Sequence, residues 1–413
     1  MIKDKKIFTW ALYDWANSAY ATTIMVGFFP LFFQKYWSAG TDSALTTARL
    51  GTAISISSFL IAICSPTLGA IADLRSKKKL ATFLFMVLGV LCCVWMAFID
   101  KGDWLSAIVA FGAAMIFFTA SCVFYDALLP FVAEGSDMHA ASALGYSLGY
   151  LGGGLLFLLN VLMYLHPAAF GLADEVMAIK ASFVSVGVWW FLFTLPMMKF
   201  VPEEGLHYEG DLASTLRLSF ANLKKTILDI VQQKNVLLFV MAYWLYIDGV
   251  YTVMTMAVDY GTALGLQAKD MIGALLLTQF IGFPCALFFG KLTHRWGARK
   301  PILVCIVVYS IGVILATRMS TGLHFYLLAG MIGMVQGGVQ SLSRSFFGQM
   351  IPKDKSAEYF GLFNLVGKFA SILGPAIVGA TVYATGKHQW GMLGLLLLFA
   401  GGGALLMRVR EDV

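Results

Sequence analysis

Apolar runs long enough to cross a bilayer recur along the whole chain, separated by short charged or Pro/Gly-containing breaks. About 20 residues at ~1.5 Å rise are needed to cross ~30 Å of hydrocarbon. The pattern predicts twelve helices, at about 8–33, 49–73, 80–99, 104–134, 139–165, 176–200, 236–260, 271–293, 301–318, 323–351, 357–385 and 389–407. The chain is therefore expected to be an all-α integral membrane protein. Its first run, FTWALYDWANSAYATTIMVGFFPLFF, is the unusual one, because it carries Asp14, Asn17, Ser18, Thr22 and Thr23. Helical spacing places Asp14, Asn17, Ser18 and Ala21 on one face. A carboxylate in hydrocarbon costs at least ~2.5–3.5 kcal/mol, so that face should look into protein or water.

The longest stretch that does not span lies at about 201–235 and divides the chain into an N-terminal half of six helices, 1–200, and a C-terminal half, 236–413. Within it Leu212, Leu216, Leu223, Ile227 and Ile230 recur at helical spacing against Arg217, Lys224, Lys225 and Asp229. That spacing predicts a helix at the membrane surface joining the halves. The halves echo one another: GAIADLRSKKK (69–79) follows the second helix and GKLTHRWGARK (290–300) follows the eighth. Two six-helix repeats with a site between them at mid-membrane is a transporter pattern.

Composition narrows the class. Charged residues make up only 13% of the 413, against roughly 25% in soluble domains, which leaves no soluble domain over. The net charge of +6 is explained by topology and not by nucleic acid. Twenty Lys and Arg fall at the termini and in loops on their side, against seven opposite, so the positive-inside rule places both termini in the cytoplasm of a plasma membrane, with a bacterial inner membrane expected. The first run is too long for a signal peptide and is expected to remain in the mature protein. The six cysteines fall inside spans with no CxxC, as packing residues do. No phosphate-binding loop or metal-ligand cluster is evident, so the reading is a carrier, not an enzyme, needing no cofactor or metal. Its partners would be the bilayer and a small-molecule substrate, and a monomer is expected.

The two basic turns resemble the signature of the major facilitator superfamily. Gly69, Asp73, Lys77 and Lys78 fit it, with Arg75 adjacent, and Leu74 and Ser76 depart from it. The second copy keeps Gly290, Arg295, Gly297, Arg299 and Lys300 but has His294 where the Asp would be. The resemblance implies that these residues form a cytoplasmic gate, with a carboxylate supplied by the first copy alone. A narrower set is similar to the vacuole-effluxer-like family: YDWANSAYATT (13–23), FYDALLP (124–130), LGYSLGYLGGG (144–154), QSLSRS (340–345) and GLFNLVGKFASILGP (361–375). That family includes a fungal vacuolar amino-acid exporter. The resemblance implies a twelve-helix major facilitator fold in two pseudo-symmetric six-helix halves, and amino-acid efflux. The Gly-Pro signature of drug/proton antiporters is absent from the fifth helix, where Leu155 follows Gly154.

Five charges lie well inside spans: Asp14, Asp126, Asp248, Arg344 and Lys368, on helices one, four, seven, ten and eleven. In the facilitator fold helices one, four, seven and ten line the central cavity. At ~1.5 Å per residue, Asp14, Asp126 and Arg344 share a layer ~9–12 Å deep, and Asp248 and Lys368 one at ~16–18 Å. Arg344 is accordingly expected to latch onto Asp126 or Asp14 across the halves, and Asp248 to pair with Lys368. Three Asp against two cations leave one carboxylate over, a route to proton coupling with Asp14 as the candidate, supported by Asn17 and Ser18; a hydrated, charged Asp14 would instead make a uniporter. A zwitterion would suit such a cavity, with Gln340 and Asn364 nearby and Tyr13, Trp15, Tyr20, Trp244, Tyr246 and Tyr251 as apolar walls. The leading function is a secondary transporter for amino acids or similar small polar metabolites. A sugar or drug transporter is the alternative, and a receptor or lipid scramblase on the same fold is the alternative from another class.

Overall fold

The computed structural model describes residues 4–203, 212–263, 268–370, 373–385 and 388–411. Lys3, Lys387 and residues 204–211 of the expected linker lie outside them. Among the described residues, eleven helices are long and apolar enough to cross a membrane: spans 1 (Lys5–Trp37), 2 (Leu45–Arg75), 3 (Lys78–Phe98), 4 (Trp104–Val132), 5 (Ser136–Leu165), 6 (Glu175–Phe200), 7 (Lys234–Ala257), 8 (Asp270–Trp296), 9 (Arg299–Ala316), 10 (Gly322–Met350) and 11 (Lys353–Thr385). The shorter apolar helix Met392–Leu406 is span 12. The expected boundaries hold to within a few residues, because short polar residues stop the runs. Asp42, Asp103 and Asp174 accept from the amides of Leu45, Ser106 and Met177, capping the helices that start spans 2, 4 and 6.

Two spans are less regular than their hydropathy suggests. Span 1 winds as a π-helix over Tyr20–Phe28 and again over Phe33–Trp37. Span 11 is built from two helices, Ser356–Phe369 and Leu373–Thr385, and not from one continuous helix. Apolarity reports burial in lipid or protein, and it carries no record of where the i→i−4 ladder is broken.

The packing forms two apolar cores, one mainly from spans 1–6 and the other mainly from spans 7–12. Between them runs a polar seam. The helix Leu212–Gln232 lies against the second and seventh spans, with Ser219, Thr226 and Ile230 turned inward and Phe220, Leu228 and Val231 outward.

Candidate functional site

Arg344 sits at the centre of the seam, on span 10, and is 3% exposed, too deep for solvent to satisfy its charge. Its Nη1 donates to Asp126 Oδ1 at 2.9 Å, its Nη2 to Asp14 Oδ2 at 3.0 Å and to the Ser142 carbonyl at 3.0 Å, and its Nε to Ser142 Oγ at 2.8 Å. Asp14, Asp126 and Ser142 belong to spans 1, 4 and 5, so one guanidinium ties the C-terminal half to three helices of the N-terminal half. Tyr125 Oη donates to the same Asp14 oxygen at 2.9 Å. The rings of Tyr146, Trp10 and Tyr125 lie 4.4, 4.9 and 5.5 Å from the guanidinium carbon, a cation–π cage for a charge removed from water. A Cβ on Gly145 would strike Asp14 Oδ2, so the glycine leaves room for the cluster.

Two carboxylates share one guanidinium, a formal charge of −1 when all three are ionised. The Asp126 side chain keeps 25% of its surface accessible, against 4% for Arg344. The acid side of the cluster is therefore the side that solvent or a solute can reach.

The deeper layer differs from the expected Asp248–Lys368 pair. Asp248 accepts from the amides of Leu373 and Gly374 at 3.1 and 2.8 Å and from Thr252 Oγ1 at 3.3 Å. It thus caps the N-terminus of the second helix of span 11, whose freed amides are the better partners for a fixed carboxylate. Lys368 forms no ion pair among the described residues. Nor is Asp14 the carboxylate left over, since Arg344 and Tyr125 hold it, and Asn17 and Ser18 do not. Asn17 Nδ2 reaches Cys122 Sγ at 3.8 Å instead, and the Ser18 hydroxyl lies against Gly149 of span 5.

The remaining expected residues separate into core and seam. Tyr13 and Tyr20 are fully enclosed in the N-terminal core, and Tyr246 in the C-terminal one, where its Oη meets Ser343 Oγ at 2.7 Å. Trp15 stacks on Trp189 of span 6 with centroids 5.4 Å apart, and Trp244 packs against the C-terminal core. The three tyrosines are packing positions and not cavity walls, whereas the two tryptophans are partly buried; the rings that serve the charge are Trp10, Tyr125 and Tyr146. In the seam, Gln340 Oε1 accepts from Tyr150 at 3.3 Å, and Asn364 Oδ1 lies 3.5 Å from the Ser65 hydroxyl. Tyr251 is partly exposed beside Tyr243.

On the face that carries the termini, Asp73 accepts from the amides of Glu358 and Ala357 at 2.7 and 3.2 Å, capping the first helix of span 11 from the opposite half. Lys78 Nζ, 1% exposed, pairs with it at 2.7 Å. Gly69 makes this possible, because a Cβ there would strike the Ala357 carbonyl. Ser356 Oγ donates to the Ala127 carbonyl at 2.8 Å, and His139 Nδ1 lies 2.8 Å from Ser345 Oγ. Lys353 pairs with Glu134 and holds that exposed carboxyl below the usual range by its hydrogen bond. The halves are thus fastened together on the termini face. In the second basic turn Gly290 packs on Ala143 of span 5, while His294, Arg295 and Lys300 are exposed, as is Lys77 in the first.

Sequence reading missed a symmetric pair of clamps. Glu203, just beyond span 6, accepts from the amides of Lys78 and Lys79, and Glu411, beyond span 12, accepts from those of Ala298 and Arg299. Lys79 Nζ returns to the Val201 carbonyl at 2.6 Å and Arg299 Nη1 to that of Val409 at 2.7 Å. The signal was present as Val201-Pro202-Glu203 and Val409-Arg410-Glu411, the same V-x-E at the same place in each half. Each glutamate satisfies the first amides of span 3 or span 9, so Glu411→Ala is expected to lower stability by about 1–2 kcal/mol. Thermal unfolding of the purified variant measures this, and an unchanged midpoint would show that the cap is dispensable.

A family described as "Vacuole effluxer Atg22 like" matches residues 44–141 and 134–412. The chain belongs to this family. An uncharacterized MFS-type transporter of Bacillus subtilis, YxiO, is 37% identical over 98% of this chain and 94% of its own length. Autophagy-related protein 22-1 of Penicillium rubens is 29% identical over 66% of this chain, a match spanning 49% of the fungal protein. Among solved structures, the proton:xylose symporter XylE superposes with a TM-score of 0.74 at 12% identity, covering 98% of this chain and 95% of the other. The human organic anion transporter MFSD10 gives 0.74 at 12% identity, covering 98% and 100%. At such identities the structures speak for the fold alone, which is the major facilitator fold. The effluxer-like chain is an MFS-type transporter, as its bacterial relative is described, and not an enzyme.

Proposed function

We propose that the protein is a secondary carrier working by alternating access, that it moves amino acids or similar small polar metabolites, and that protons are its coupling ion. The observation that carries this reading is the single guanidinium shared by Asp14 and Asp126 across the halves. Opening the termini face must draw Arg344 away from both carboxylates and strand them. An uncompensated charge in such a site is costly, so a proton or a solute ammonium has to take the place of the guanidinium. In this account residues 1–200 and 236–413 rock as bodies joined by 201–235, and the termini face is cytoplasmic, as the basic loops indicate. Membership of the effluxer family supports the substrate class.

The test is uptake of a labelled amino-acid pool by purified protein in liposomes, with and without an inward pH gradient. Gradient-driven accumulation is expected in wild type and not in Asp14→Asn. Equal accumulation with and without the gradient would remove the proton from the account.

A further inference from the structure

Deep inside the spans, among the described residues, Lys368 is a cation with no ion pair. Arg344 has committed its nitrogens to Asp14, Asp126 and Ser142, and Asp248 is held by two amides of span 11. Lys368 has no ion pair among the described residues, and the titratable group acting on it is the Cys122 thiol of span 4. It lies in the last turn of Ser356–Phe369, midway along span 11, yet it remains partly accessible. An ammonium midway along a span and without an ion pair is placed to take its counter-charge from a solute.

Neutral polar side chains flank this position. Asn17 of span 1 reaches Cys122, and Asn364, one turn before Lys368, faces Ser65 of span 2. Amides, a thiol and a hydroxyl can orient a solute, but they cannot neutralise a cation. The carbonyl end of the helix offers roughly half a charge. A charged group at this depth normally marks a substrate or ion path.

We propose that Lys368 anchors the carboxylate of the transported solute, so that substrates must carry a free carboxylate, with Asn17 and Asn364 as its neutral companions. This rests on the carrier reading and gives its site a sign: the anionic end of the solute at Lys368, and any ammonium toward the net-negative cluster at Asp126.

The test uses uptake of a labelled L-amino-acid pool into liposomes, with the unlabelled acids, their α-amides and their decarboxylated amines as competitors. Wild type is expected to be inhibited by the acids and not by the amides or amines. Lys368→Gln is expected to lose uptake roughly ten- to hundredfold, as when one charge-assisted contact is removed, and Lys368→Arg to restore a substantial part. Both variants should melt at the wild-type temperature, since no ion pair is broken. Amides competing as well as acids, or wild-type uptake by Lys368→Gln, would overturn the anchor and leave the carrier standing. The competition pattern needs no variant, so it decides even if Lys368→Gln does not fold. Folded wild type that takes up no carboxylate-bearing compound, whatever else it carries, would overturn both the anchor and the amino-acid reading.

Discussion

Arg344→Gln is expected to abolish transport and to be the most destabilising single substitution in the seam. It removes one cation from between two carboxylates and leaves Ser142 Oγ without the Arg344 Nε donor. Breaking a buried pair by deleting one partner typically costs about 3–5 kcal/mol, because the remaining charge is left uncompensated. At ~1.4 kcal/mol per decade, that is a hundredfold or larger shift away from closure of the termini face. Adding Asp14→Asn and Asp126→Asn to Arg344→Gln should recover much of the stability, since no charge is then stranded, while leaving transport absent. Thermal unfolding and liposome uptake on the single and triple variants separate the two effects. A single variant as stable as wild type would show that the cluster is hydrated and that the guanidinium holds nothing.

The second large effect is steric, at the crossing of spans 2 and 11. A Cβ on Gly69 would strike the Ala357 carbonyl, and one on Gly361 would strike the backbone of Ser65 and Pro66. Backbone cannot yield as a flexible side chain does, so Gly69→Val and Gly361→Val must push the two spans apart. Asp73 would then lose reach of the Ala357 and Glu358 amides that it caps. Both variants are expected to fold, because each half keeps its own core, yet to transport at background level with the termini face held open. Hydrogen exchange reports this directly: amides 356–360 should exchange faster in the variants while those of span 9 stay unchanged. Wild-type exchange and transport in Gly361→Val would mean that the crossing has slack.

Which charges lie inside the spans was legible, and how they pair was legible only in part. Lipid excludes charge, so Asp14, Asp126, Asp248, Arg344 and Lys368 stood out against their spans without any structure. Depth along a helix axis also brought Arg344 to the level of the two carboxylates it binds. Equal depth did not bring Asp248 and Lys368 together, because depth is one coordinate and the facing direction is another. The deciding fact there is the division of span 11 into two helices, which offers Asp248 two amides to accept from in place of the Lys368 ammonium. Hydropathy does not register that division. Nor does it register Glu203 and Glu411, which lie among polar residues at span ends where a charge calls for no explanation. The aromatic residues were over-read: Tyr13 and Tyr246 fill cores, whereas Trp10 and Tyr125, equally apolar in the sequence, face the guanidinium.

The central claim is that Arg344 holds the termini face closed and that releasing it opens the carrier. The direct measurement is the distance between spin labels on introduced keto amino acids at Lys77 and Arg295, exposed positions in the two basic turns of opposite halves, with the native cysteines kept. Wild type in liposomes should show one short population, joined by a longer one when the solute pool or low pH is supplied, and Arg344→Gln should show the longer population without either. A single short population in both proteins under every condition would contradict the account.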